Sequence, residues 1–160
     1  GTPAFAELKE ALLAQSKVDL QQPDLLDYWE LLTPEDIRRI GRSKYVTVGS
    51  HGFYHNNLGN IDLKDAQQEL ADSKAYLESL TDYEVDSIGF PDGNYSPELV
   101  ETALKMGFRY QCAVDYHFER DAQLPYLKNR IGLYPLTTVH YLNYEVQQCA
   151  HAHRDLHHHA

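Results

Sequence analysis

The residues best suited to chemistry in this sequence are two histidines, His51 and His55, four positions apart. Neutral imidazole is a common ligand of divalent metal ions, and two rings at this spacing can reach one ion. The chain contains nine histidines, so a pair at this spacing also arises by chance. The spacing is therefore a weak signal until the elements around it are considered.

The segment before the pair is typical of a buried strand. Residues 45–48 read Tyr-Val-Thr-Val, apolar and β-branched, and Gly49 and Ser50 end the run. A strand here places His51 and His55 at its carboxyl end, the edge where α/β sheets and barrels build their sites. With this context, metal ligation and an ordinary pair of histidines are about equally favoured.

Predicted helices and strands alternate along the chain. The predicted helices, whose apolar residues recur every three or four positions, lie at 4–16, 33–41, 62–80, 96–107 and 138–148. The predicted strands, short apolar runs, lie at 45–48, 85–90, 108–114 and 130–134. Alternation of this kind predicts an α/β fold with a mostly parallel sheet and crossover helices.

Length and charge limit the classes of protein that fit. Residues 1–150 suffice for one domain, and the His-rich tail 151–160 resembles a purification remnant. A net charge of −10 lacks the positive field that nucleic acid requires. No apolar run reaches the roughly 20 residues of a transmembrane segment, and the printed N-terminus lacks a signal-peptide pattern. Cys112 and Cys149 leave one disulfide or two free thiols open.

A second candidate segment follows the predicted strand at 85–90. It combines a large apolar residue, a proline-glycine turn signal and an aromatic, in the residues Phe90, Pro91, Asp92, Gly93 and Tyr95. Taken without the histidine pair, an ordinary strand-to-helix connection is favoured over a functional role by about two to one.

In order and spacing, the two segments resemble motifs of the NodB-like polysaccharide deacetylases. The matching stretches are S-H-G-F-Y-H-N-N-L at 50–58 and I-G-F-P-D-G-N-Y at 88–95, and the resemblance covers roughly residues 29–135. Two motifs in the correct order are more specific than either one alone. The resemblance implies a partial, distorted (β/α) barrel of mostly parallel strands.

For the histidine pair, the resemblance implies a divalent metal, often zinc, held by His51, His55 and one Asp. Such a metal polarises the carbonyl of an N-acetyl or O-acetyl group on a polysaccharide and activates water. Gly52 stands where the family usually has a hydroxyl residue. A hydrogen bond that orients the ligands is therefore absent or is supplied by another group.

The resemblance also assigns roles to later residues. It makes the segment from Phe90 to Tyr95 one wall of the substrate groove, with a backbone N–H facing the developing oxyanion. Asp92 stands where an aromatic is common, which leaves sugar stacking there in question. Asp115 is a candidate for tuning a catalytic group. His140 compares with a general-acid histidine, although a surface or helix histidine is favoured by about three to one.

The first motif of the family, an F-D-D segment with the general-base Asp and the acidic metal ligand, is not found before His51. None of the carboxylates there follows an apolar strand-like run: Glu7, Glu10, Asp19, Asp24, Asp27, Glu30, Glu35 and Asp36. Whether this chain is an active enzyme therefore stays open.

Three hypotheses follow. The chain is the carboxyl-terminal portion of a metal-dependent carbohydrate deacetylase, inactive by itself; or it is a non-catalytic glycan-binding or interaction module; or two chains associate and complete each other's sheet. In each case the resemblance implies a polysaccharide or oligosaccharide partner. It also suggests an extracellular, periplasmic or cell-surface location.

Overall fold

A computed structural model describes residues 3–15, 31–130, 138–144 and 146–147. Its helices, in chain order, are α1 (Pro3–Gln15), α2 (Pro34–Gly41), α3 (Leu63–Glu78) and α4 (Pro97–Lys105). Its strands are β1 (Ser87–Gly89), β2 (Tyr110–Ala113) and β3 (Leu127–Asn129). Short 3-10 turns lie at Pro91–Gly93 and Glu119–Gln123.

The three strands form a parallel sheet in the order β1-β2-β3. Cys112 in the central strand pairs with Gly89 on one side and with Lys128 on the other. α4 connects β1 to β2, as a crossover between parallel strands requires. The prediction of a parallel sheet with crossover helices is confirmed.

The hydrophobic core holds the segment 88–95 in place. α3 and α4 contact each other and bury apolar side chains. Burying one large apolar side chain stabilises a fold by roughly 1.5–3 kcal/mol. The largest fully buried apolar side chains include Leu58, Leu70, Ile88, Phe90, Leu99, Phe108 and Leu127. Since Ile88 and Phe90 belong to the segment 88–95, the core fixes the point from which its turn projects.

Two helices begin where local side chains predict. Thr33 caps α2 with its hydroxyl, which accepts the N–H of Asp36 at 3.2 Å, and Pro34 occupies the first turn. Ser96 caps α4 by accepting the N–H of Leu99 at 3.2 Å. Both starts are confirmed because each depends only on neighbours in sequence.

The predicted buried strand at 45–48 is wrong. Tyr45 is 84% exposed, and the segment has no ladder partner among the described residues. Only Ser50 pairs with β1, through one isolated parallel bridge to Ile88. The N–H of Val48 instead donates to the Tyr83 hydroxyl at 2.9 Å, so a side chain takes the place of a neighbouring strand.

The predicted strand at 130–134 is also displaced. The strand that forms is β3, Leu127–Asn129, because Leu127 fills the core beside the central strand. The N–H of Arg130 extends the ladder to the carbonyl of Ala113 at 2.8 Å, and residues 131–134 lie outside the described part. Residues 139–144 are helical, which confirms that part of the predicted terminal helix.

Two sequence expectations concern the chain as a whole. None of the described helices is both long and apolar enough to cross a bilayer. Cys112 is a free thiol, half-buried in β2, and Cys149 lies outside the described residues. The state of Cys149 therefore stays open.

Candidate metal site

The structure brings His51 and His55 together at the edge of the parallel sheet. Ser50 fixes the approach, since its N–H donates to the carbonyl of Ser87 and its own carbonyl accepts the N–H of Gly89, each at 2.9 Å. The two imidazole centroids are 4.8 Å apart with the ring planes at 79°, and both residues are exposed. The rings are therefore close enough to share one ion and open to solvent.

One hydrogen bond sets the tautomer of His51. Its Nδ1 bonds the carbonyl oxygen of Gly89, and a carbonyl can only accept. In the neutral ring Nδ1 must therefore carry the proton, and the lone pair lies on Nε2. Histidines that bind metals are typically oriented by such a bond from the second ring nitrogen.

The loop that carries the two rings has an unusual backbone. His55 has φ 59° and Gly52 has φ 81°, both in the left-handed region. Glycine adopts this conformation at no steric cost, whereas a side chain such as that of histidine makes it unfavourable by about 1–2 kcal/mol. The conformation of His55 must therefore be stabilised by other contacts of the loop.

Two imidazoles fit a transition metal such as zinc, although they are not a complete ligand set. No group of three or more His, Cys, Asp or Glu side chains with metal-binding geometry occurs within the described residues. The nearest upstream carboxylate described, Asp36, is engaged in the α2 cap, where hydrogen bonds from Thr33 lower its pKa. Four upstream carboxylates lie outside the described part: Asp19, Asp24, Asp27 and Glu30.

Sequence reasoning missed Arg130, which follows β3. Its Nη2 donates to the carbonyl of Phe90 at 2.8 Å, and its Nη1 lies 2.8 Å from the place where a Cβ on Gly89 would sit. Glycine at position 89 thus makes room for a guanidinium beside the carbonyl that orients His51. Arg130 forms no ion pair within the described residues. No signal in the sequence marked this position, because Arg130 falls within the strand predicted at 130–134.

Most residues of the turn within the segment 88–95 are buried. Phe90, Pro91, Gly93 and Tyr95 are buried, whereas Asp92 is exposed with φ 56°. The N–H groups of Phe90, Gly93 and Asn94 donate to backbone carbonyls at 2.9–3.1 Å. No described residue accepts a hydrogen bond from the N–H of Asp92.

Tyr95 connects the turn to residues 117–121 through its hydroxyl group. Its hydroxyl donates to the Asp121 carboxylate at 2.6 Å and accepts the N–H of His117 at 2.8 Å, and the His117 ring stacks on it at 4.2 Å. Burial, reinforced by the Asp121 carboxylate, raises the pKa of Tyr95 to about 12. The whole residue is only 3% exposed, so the substrate contact predicted for Tyr95 would have to be made by its neighbours.

We expect Tyr95→Phe to be destabilising by about 1–3 kcal/mol near neutral pH, because Asp121 and the N–H of His117 lose a buried partner. The difference should shrink in alkali. The pKa of Tyr95 is 10.0 in the unfolded chain and about 12 in the folded protein. The unfolded chain therefore ionises first as the pH rises, and the free energy of unfolding of the wild type falls by about 2 kcal/mol between these two pH values. Urea unfolding of the two proteins at about pH 8 and about pH 11.5 measures the stability difference at each pH.

Tyr110→Phe is the control for this prediction, because Tyr110 is 63% exposed on β2. This variant should follow the wild type at both pH values. A constant stability difference between wild type and Tyr95→Phe at all pH values would contradict the predicted linkage.

The remaining predicted residues lie apart from the histidine pair. Asp115 is exposed just after β2, and His140 is exposed in the helical segment 139–144. No hydrogen bond, ion pair or ring contact joins either of them to His51 or His55 in the described structure. Their catalytic roles stay predictions.

A family profile and several known proteins match this chain. The profile of the family described as polysaccharide deacetylase matches residues 12–111. YxkH of Bacillus subtilis, a protein assigned to the polysaccharide deacetylases, is 24% identical over 104 residues, which are 65% of this chain. The match spans 37% of the length of YxkH.

Two solved structures share the fold. The Streptococcus pyogenes deacetylase PplD, in complex with acetate, has a TM-score of 0.58 and 19% identity, over 78% of this chain and 54% of PplD. The Bacillus cereus polysaccharide deacetylase BC0361 has a TM-score of 0.61 and 21% identity, over 86% of this chain and 46% of BC0361. The chain thus spans about half of each structure. The likeness confirms the expected fold, a partial (β/α) barrel with parallel strands.

Proposed function

Since the chain belongs to the polysaccharide deacetylase family, we propose that it supplies the two-histidine part of the metal site in a metal-dependent carbohydrate deacetylase. The observation that carries the proposal is the geometry of His51. Its Nδ1 bonds the carbonyl of Gly89, so Nε2 is the nitrogen left for a metal. Its ring also contacts the ring of His55.

The chemistry divides between the ion and the chain. A divalent ion such as zinc, held by His51 and His55, supplies polarisation of the acetyl carbonyl and activation of water. In this proposal the backbone N–H of Asp92 donates to the negative charge that develops on the carbonyl oxygen. The guanidinium of Arg130 adds a fixed positive charge at the same edge. The acidic ligand and the general base that the family resemblance implies are not identified among the described residues.

The substrate class follows from the family. Polysaccharides bearing N-acetyl or O-acetyl groups are the proposed substrates, and acetate, which is bound in the PplD structure, is the proposed product. His140 as a general acid, Asp115 as a tuning group and the segment Phe90–Tyr95 as a groove wall are part of this proposal. Because the chain lacks an identified base, we expect little activity from it in isolation.

Acetate release tests the proposal. Acetylated chitin oligosaccharides, peptidoglycan and acetylated xylan are incubated, with and without zinc, with this chain and with a form extended upstream in its reading frame. We expect metal-dependent acetate release from the extended form, and a loss of at least about 100-fold with His51→Ala. Acetate release that is unchanged by His51→Ala would contradict the assignment.

A second candidate is a glycan-binding or interaction module with the same fold. Three exposed aromatic rings near the histidine pair favour it: Phe53 lies 4.9 Å from Tyr54 and 6.4 Å from Tyr76 between centroids. Flat rings of this kind suit the faces of sugars. Oligosaccharide binding without acetate release, even by the extended form with zinc, would favour this candidate over the enzyme. Pairing of two chains at the sheet edge also stays a prediction.

A further inference from the structure

The loop between the two histidines is bound to a buried carboxylate. Glu69 of α3 accepts the N–H groups of Phe53 and Tyr54 on Oε2, at 3.2 and 3.1 Å. Its Oε1 accepts the side-chain amide of Asn56. All three donors belong to, or directly follow, the H-x-x-x-H segment. One side chain therefore bonds the loop on both sides of His55.

These hydrogen bonds are important because the carboxylate of Glu69 is buried. Glu69 is 5% exposed and forms no ion pair within the described residues, so its charge depends on hydrogen bonds. A buried carboxylate is costly unless donors surround it, and the loop provides those donors only in its present conformation. Glu69 thus favours the left-handed backbone of His55, which is otherwise strained.

Gly52 and Ser73 complete the attachment to α3. A Cβ at Gly52 would lie 3.3 Å from Oε2 of Glu69, so glycine lets the carboxylate approach the loop closely. One helical turn beyond Glu69, the hydroxyl of Ser73 bonds that of Ser50 at 2.7 Å, just before His51. Two residues on one face of α3 therefore hold both ends of the histidine loop.

We propose that Glu69 is a positioning residue for the metal site: its carboxylate holds the loop so that His51 and His55 face one ion. The role rests on the proposed function. It also explains how the loop is ordered although Gly52 lacks the hydroxyl that the family usually has there. In this role Glu69 acts through its hydrogen bonds to the loop.

The test combines zinc affinity with amide exchange. All variants carry alanine at the tail histidines, so that only internal sites bind zinc: His151, His153, His157, His158 and His159. Zinc binding is measured by calorimetric titration, and NMR measures amide exchange at Phe53 and Tyr54. Glu69→Ala is compared with Glu69→Gln, whose remaining oxygen can still accept both backbone N–H groups. Asp72→Ala is the matched control, because Gln68, on its own helix, is the donor to Asp72 within the described residues.

Glu69→Ala should weaken zinc binding by about tenfold or more and accelerate exchange at Phe53 and Tyr54, while amides of α4 keep their protection. Glu69→Gln should restore most of the exchange protection and part of the affinity. Asp72→Ala should match the parent protein. This rescue by glutamine separates positioning of the loop from general loss of the fold.

Three results would each overturn the inference. If Glu69→Ala exposes the amides of Phe53 and Tyr54 but binds zinc within about twofold of the parent, Glu69 does not position the ligands. The proposed metal site is then retained. If the parent binds zinc no better than the His51→Ala, His55→Ala double variant, the proposed metal site is wrong, and the positioning role fails with it. Unchanged amide exchange in Glu69→Ala also contradicts the role.

Discussion

Replacing His51 or His55 by alanine should lower zinc affinity by at least about 100-fold, which exceeds the loss caused by changing an outer partner of a metal ligand. In the proposed site each imidazole is half of the nitrogen ligand pair, and the two ring centroids are 4.8 Å apart. One remaining imidazole competes poorly with water for the ion. Calorimetric titration of zinc into the protein with alanines at its tail histidines measures the effect.

His117→Phe is the control for ligand loss, because it removes an imidazole elsewhere while keeping a ring stacked on Tyr95. It should bind zinc as the parent does. Equal zinc affinity in the parent, His51→Ala and His55→Ala would remove the metal site from this chain and favour the glycan-binding alternative.

Gly93→Ala should produce the largest loss of stability from a single methyl group. Gly93 has φ 70°, which is unfavourable for alanine by about 1–2 kcal/mol. The new Cβ would also lie 2.5 Å from the backbone nitrogen and from Cβ of Val114, which belong to the segment after β2. Overpacking of this kind is destabilising by about 1–3 kcal/mol more, since backbone atoms cannot move aside as a side chain does. We therefore expect a total of about 2–5 kcal/mol from urea unfolding.

Asp92→Ala tests the cause. Asp92 is the preceding residue of the same turn, exposed, and already carries a Cβ at φ 56°. It loses one exposed hydrogen bond from Asn57 at 3.3 Å, so we expect a change within about 1 kcal/mol. If Gly93→Ala unfolds at the same urea concentration as Asp92→Ala, contact with Val114 does not determine the turn.

The histidine loop and the turn at Gly93 are neighbouring parts of one edge of the sheet. The histidine loop and the turn after β1 meet through Gly89, whose carbonyl binds His51 and whose missing side chain admits Arg130. A shift of the turn is therefore expected to move the acceptor that orients the first ligand. Zinc titration of Gly93→Ala under folding conditions should show weaker binding than the parent for this reason.

The sequence by itself determined the features that depend on neighbours along the chain. The caps at Thr33 and Ser96, the long amphipathic helix from Leu63 and the turn after Phe90 are local, because their signals are hydrogen bonds and apolar periods within a few residues. The order of the two motifs was also sufficient to indicate the family. The spacing of His51 and His55 predicted a pair of ligands.

The tertiary structure alone decided how that pair is held. The bond from His51 to Gly89 spans 38 positions, the bonds to Glu69 span 13 to 16, and that from Arg130 to Phe90 spans 40. A local pattern does not encode such contacts, since they depend on which elements pack side by side. The same reason explains the error at residues 45–48. An apolar β-branched run predicts a strand, but only a neighbouring strand makes one, and only Ser50 finds it in the described structure.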